Sequence, residues 1–331
     1  MELIKNLTEI YGPSGREEKI RILIKSEITK FCKDIKVDVL GNLIAHIPSK
    51  NKKDTKKLMF CAHMDEIGLI VKHIDKQGFL RFASVGGIFT EKILHHRVLF
   101  ENGVTGVIGV ETKPETPKPP NLDNFYIDIG AKNQDEAKKM VQLGDIASFY
   151  QGTEIINKKV VAKALDDRIG CYCLIETMKR FKKNRFDLYF VFSTQEEVGL
   201  RGARTSAFRI NPDYAIAVDV TGTGDTPESP QMAVSIGKGV AIKIKDSLFI
   251  TNPFIKDKLI TYARRFKIPY QLEILERGTT DAAVIQLIKE GVLSGVLSIP
   301  TRYIHSPNEM CDLNDVRATI NLMVACTEQG F

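Results

Sequence analysis

Tryptophan is missing altogether from this 331-residue chain, and cysteine is sparse, with six scattered residues. None of the six forms a Cys-x-x-Cys pair, which excludes a thiolate zinc knuckle and a thioredoxin-like redox motif. Cys61 falls in an apolar strand-like run and Cys326 in a late amphipathic helix, as small core residues do. Cys171 and Cys173, if helical, point to different faces. Such usage fits a reducing compartment. The start, Met1-Glu2-Leu3-Ile4-Lys5-Asn6, lacks the apolar run of a signal peptide, so a cytoplasmic location is expected. An uninterrupted apolar stretch of about 18 residues, the minimum for a membrane helix, is also lacking. Charge of one sign is in short supply too: 47 basic against 41 acidic residues leave a net +6. The densest basic run, Lys50–Lys57, reads as a solvated turn without interleaved aromatics, so no nucleic-acid partner is expected.

What is present is ordinary globular composition, 43% hydrophobic and 27% charged, over a length that suggests two domains. A short helix over residues 1–10 stops at Gly12-Pro13, and Ser14 with Glu17 reads as a capping box. The next helix aligns Ile20, Leu23, Ile24, Ile28 and Phe31 on one stripe. Gly41-Asn42 turns a hairpin, and Leu58–Ala62 is a buried strand ending at His63. From residue 67 the texture becomes short strands and glycine-bearing turns, with a proline-rich exposed loop at 111–120. Strand–helix alternation resumes after residue 160: strands at 159–163, 187–193, 214–220, 239–245, 270–275 and 292–299, helices at 169–181, 203–208, 253–266, 280–289 and 313–328. The expected fold is α/β, a mostly parallel sheet flanked by helices and built from residues 1–66 and 161–331. Residues 67–160 form an inserted small β-barrel-like domain.

Ligand-type side chains gather at the strand ends. His63 and Asp65 follow one strand, Asp166-Asp167-Arg168 a second and Glu196-Glu197 a third. A further strand delivers Asp219, and His305 follows the last after Pro300. Each alone is a turn residue, a cap or a solvated charge. Together they converge on the edge of an open sheet where ligands bind. Imidazole mixed with carboxylate suits zinc, cobalt or manganese. The ligands are too many for one open site, which points to two divalent ions per chain.

These motifs resemble the tetrahedral-aminopeptidase, or glutamyl/deblocking aminopeptidase, family of dinuclear metallopeptidases. The resemblance rests on Cys61-Ala62-His63-Met64-Asp65-Glu66-Ile67-Gly68, Ala162-Lys163-Ala164-Leu165-Asp166-Asp167-Arg168, Gln195-Glu196-Glu197-Val198-Gly199-Leu200-Arg201-Gly202, Val218-Asp219-Val220-Thr221 and His305-Ser306-Pro307. It implies a zinc-exopeptidase-like catalytic domain acting on peptides. Asp166 would bridge the two ions, His63 and Asp219 would complete one site, and Glu197 and His305 the other. Glu196 would be the general base, and Asp65 would orient His63 through its second ring nitrogen. It also implies self-association through the inserted domain into a homododecamer. Where relatives often carry Gly-Gly-Thr-Asp, this chain has Gly278-Thr279-Thr280-Asp281. The competing readings are another two-metal amidohydrolase or a carboxypeptidase of the same fold, a glycosidase, and a non-enzymatic binding protein.

Overall fold

Four apolar segments, Lys57–His63, Asp187–Ser193, Tyr214–Thr221 and Leu293–Arg302, form the parallel centre of an eleven-stranded sheet. Phe60, Phe190, Ile216 and Leu297 are fully buried. These strands lack an in–out alternation because helices cover both faces. The computed structural model describes residues 1–49, 55–111, 121–227, 229 and 231–331. Most of the basic run Lys50–Lys57 and the loop expected at 111–120 therefore lie outside the described residues.

Parallel pairing holds through that centre, and the flanks turn antiparallel. On one side stands the hairpin of Asp34–Val37 with Leu43–Ile47. On the other, Leu293–Arg302 pairs with Glu309–Asp312, which pairs with Lys159–Ala162 and then Glu154–Ile156. Val240–Lys245 and Tyr270–Ile274 extend the sheet off the main path. Helices Glu2–Glu9, Leu165–Arg180 and Leu313–Gln329 pack together against one side of the sheet. One cluster from Ile4 to Cys326 forms the core there.

Strands between Gly68–Ile74 and Ile146–Phe149 close into a six-stranded barrel. Leu69, Val71, Phe82, Phe100, Phe125 and Ile127 fill it, and closure leaves no open edge. The barrel has a separate core from that of the large sheet. Asn133 caps its helix Gln134–Met140 by accepting the Glu136 N–H.

Several local expectations fail for tertiary reasons. Ser14 and Glu17 do not form a capping box; the Ser14 hydroxyl donates to Asp65, and Glu17 accepts N–H bonds from Gly15 and Gln195. Ile20, Ile24 and Ile28 are buried as expected, but Phe31 lies beyond the helix Glu18–Ile28 and is exposed. The helix expected at 280–289 shrinks to Ala282–Ile285, after which the Leu287 and Ile288 N–H groups bond three residues back, to Val284 and Ile285, instead of four. All six cysteines are buried and free.

Candidate metal centre

Register brings the candidate ligands level. Ser193 pairs beside His63, so the chain leaving that neighbouring strand carries Glu196 and Glu197 to the same edge. Ala217 pairs beside Cys61, and Asp219, two residues on, comes level with His63. Asp166 enters from the start of the helix Leu165–Arg180, and His305 from the turn after Leu293–Arg302.

Asp166 stands between the two imidazoles. Its Oδ1 is 3.0 Å from His63 Nε2, and its Oδ2 is 3.4 Å from His305 Nε2. Around His63 Nε2, Asp219 Oδ1 and Glu196 Oε2 each lie at 3.9 Å. Around His305 Nε2, Glu197 Oε1 lies at 3.2 Å. The other ring nitrogen of His63 faces Asp65, 3.1 Å from its backbone oxygen and 3.6 Å from Oδ1. The Asp65 carboxylate has a second task, accepting the N–H groups of Glu196 at 3.0 Å and Glu197 at 3.2 Å. It therefore orders the turn that carries both glutamates.

Asp167 is close enough to His63 and Asp219 to compete for a cation. Both its oxygens already accept backbone bonds, from His63 N–H at 3.2 Å and Gly170 N–H at 3.1 Å. Asp167 thus acts as the cap of the helical turn that follows, as an aspartate three residues before a free N–H can. Gly170 leaves the space it occupies: an added Cβ would land against both Asp167 oxygens.

Below the site, Glu66 accepts from Lys163 at 2.6 Å and Gly12 N–H at 3.0 Å, with Arg168 Nη2 at 3.4 Å. Arg168, fully buried, donates to the Leu7, Ile10 and Gly12 carbonyls. This network pins the N-terminal segment under Asp65. From the other side the barrel leans in. A Cβ on Gly87 would sit 2.8 Å from His305 Nδ1, and one on Gly86 3.1 Å from Glu197. Lys92 donates to the Ile304 carbonyl at 2.7 Å. Thr279 turns its hydroxyl to Asp246 at 3.1 Å.

The electrostatics demand positive charge. Burial, then repulsion among neighbours, pushes Asp167, Asp219 and Glu196 well above the usual carboxylate range. Burial likewise raises Glu197. Burial opposes charge on the histidines, but the carboxylates override it, lifting His63 well above its ordinary value and His305 to about 11. Asp166 is held low against burial by His305 and His63. Among the described residues, no lysine or arginine forms an ion pair with Asp166, Asp167, Glu196, Glu197 or Asp219. So many buried carboxylates stay together only with protons or cations between them. Two groups of three ligand atoms, His63–Asp167–Asp219 and His63–Asp166–Glu197, lie within 4.8 Å of one another. The donor set, imidazole mixed with carboxylate, fits a divalent cation.

Residues 41–322 match the M42 glutamyl aminopeptidase family. This chain belongs to it. The M42 chain is therefore a metal-dependent aminopeptidase, a peptide hydrolase. It is 49% identical over 323 residues to a putative aminopeptidase of Acetivibrio thermocellus, covering 98% of this chain and 97% of that one. A solved aminopeptidase of Desulfurococcus kamchatkensis superposes with a TM-score of 0.96 at 39% identity, covering 99% of this chain and 94% of that chain. The TET1 peptidase of Pyrococcus horikoshii, described as assembling into a tetrahedron or a large octahedral shell, superposes with a TM-score of 0.89 at 34% identity, covering 99% of each chain. The M42 fold is the sheet-plus-barrel arrangement described above.

Sequence reasoning named the seven residues that meet here but missed their supports. Glu309, Ser14 and Glu17 act through hydrogen bonds with distant segments; no local spacing announces Glu309, and the spacing of Ser14 and Glu17 suggests a capping box instead.

Proposed function

We propose that the chain removes N-terminal residues from short peptides at a centre of two divalent ions, zinc or cobalt first and manganese as a further option. Asp166 would bridge the ions, with His63 and Asp219 completing one site and Glu197 and His305 the other. The observation carrying this reading is the split of one carboxylate between two imidazoles, at 3.0 and 3.4 Å. When bound, such ions acidify a water toward neutrality and polarise the scissile carbonyl.

Glu196 is the proton carrier. It is half-buried and lies beside the ligands rather than between the imidazoles, 3.9 Å from His63 Nε2, where its carboxylate would take a proton from the attacking water. It then returns that proton to the leaving amine. Asp65 holds both the Glu196 turn and the His63 ring, so the base and a ligand are aligned by one group. The barrel would mediate self-association toward a closed homododecamer in the cytoplasm; the shells described for the Pyrococcus horikoshii peptidase support the self-association.

Glu196→Gln tests the assignment. The variant should retain both ions by elemental analysis and lose turnover by about 100-fold or more, the scale of a positioned general base. Near-normal turnover would overturn the role. A panel of free-amine and N-blocked peptides separates this activity from carboxypeptidase or deacylase action, since only the free-amine set should be cleaved.

A further inference from the structure

Glu309 opens the short strand Glu309–Asp312, where pairing with Lys159–Ala162 sets it opposite Ala162, beneath the turn into Asp166. Its side chain is buried and spans two backbones. Oε2 accepts the Asp166 N–H at 2.9 Å, and Oε1 accepts the His305 N–H at 2.8 Å. His305 also sits at φ 59°, the left-handed region that costs a residue with a Cβ about 1–2 kcal/mol. A bond to its N–H helps hold that conformation. Nothing in the aminopeptidase chemistry above uses Glu309.

We infer that Glu309 is a positioning residue that fixes the separation of Asp166 and His305, and through it the affinity of the ion held by His305 and Glu197. The inference rests on the ligand assignment proposed above. A carboxylate is required because both partners are N–H donors. An amide accepts at one end only and turns its own NH₂ against the other N–H. The ion at His63 and Asp219 shares Asp166 but not His305, so the two affinities should separate.

Metal-free protein titrated with cobalt(II), followed by visible absorbance and calorimetry, reads the two sites. Glu309→Gln should weaken one ion by about 10–100-fold, the usual effect of losing a group that orients a ligand, and the other by no more than about threefold. Glu309→Asp, shorter but still an acceptor, should fall between wild type and Gln. Unchanged affinities, or equal weakening of both ions, would overturn the inference. Failure of both variants to fold without metal would mark Glu309 as a folding residue and overturn it equally. Asp166→Asn separates the two levels of reasoning. Normal binding of both ions by that variant sinks the ligand assignment itself. Weakened binding there beside unaltered Glu309→Gln sinks only the role of Glu309.

Discussion

Gly170→Ala is a change that helix propensity and local packing predict in opposite directions. In an ordinary helix interior the substitution stabilises by about 1 kcal/mol, because alanine loses less backbone freedom on folding. Here the new methyl lands on both Asp167 carboxylate oxygens, which are engaged with the His63 and Gly170 N–H groups. Displacing Asp167 removes a cap, at about 0.5–2 kcal/mol. It also leaves the buried His63 N–H unpaired, at about 1–3 kcal/mol. The costs exceed the gain, and a net loss of about 0.5–4 kcal/mol follows. Urea unfolding of the metal-free protein, followed by circular dichroism, measures it. On an Asp167→Ala background the clash is gone, and the same substitution should turn neutral or stabilising by up to about 1 kcal/mol. A Gly170→Ala protein as stable as wild type, or a double mutant showing simple additivity, would refute the packing argument.

Two further outcomes follow from charge. Metal binding should release protons, because His305, lifted to about 11, and the raised carboxylates hold them in the metal-free protein near neutrality. Apparent metal affinity should therefore rise with pH, and titration heats should differ between buffers of unlike protonation enthalpy; buffer-independent heats would contradict it. Asp225 presents a case away from the metals. Burial alone would raise its carboxyl, but the Arg302 fork at 2.9 Å on each oxygen overrides this and holds it below the usual range. A depressed carboxylate stabilises the fold above its unfolded value of about 3.9 and loses that contribution as pH falls through the folded one. Asp225→Asn should flatten the acid limb of stability below about pH 4, read by denaturant midpoints across pH.

The parallel centre of the sheet was legible because its strands are short apolar runs, and their ends announce themselves by the abrupt appearance of His63, Glu196 and Asp219. The barrel was legible from its change of texture. What could not be read were contacts between segments far apart in the chain. Ser14 and Glu17 have the spacing of a capping box, yet both are buried and Asp65 and the Gln195 N–H claim them, because a donor or acceptor left unpaired there costs more than a lost cap. The strands Glu154–Ile156 and Glu309–Asp312 carry no periodic signal; each exists because a neighbouring edge supplies backbone partners. Asp167 was legible among the ligand-type side chains at a strand end, with a turn or cap as the plain alternative; its hydrogen bonds are those of a cap, and it also stands near His63 and Asp219.

Gly86 and Gly87 belong by sequence to the barrel and by position to the reaction chamber. With no side chains there, the barrel backbone forms a wall against Glu197 and His305, and Lys92 anchors it to the Ile304 carbonyl. The insertion is therefore not an appendage that a truncation could shed. A single methyl group on the inner turn reaches the imidazole. A shift of the barrel's inner turn alters the room around His305 directly, so the barrel and the candidate metal centre share one wall.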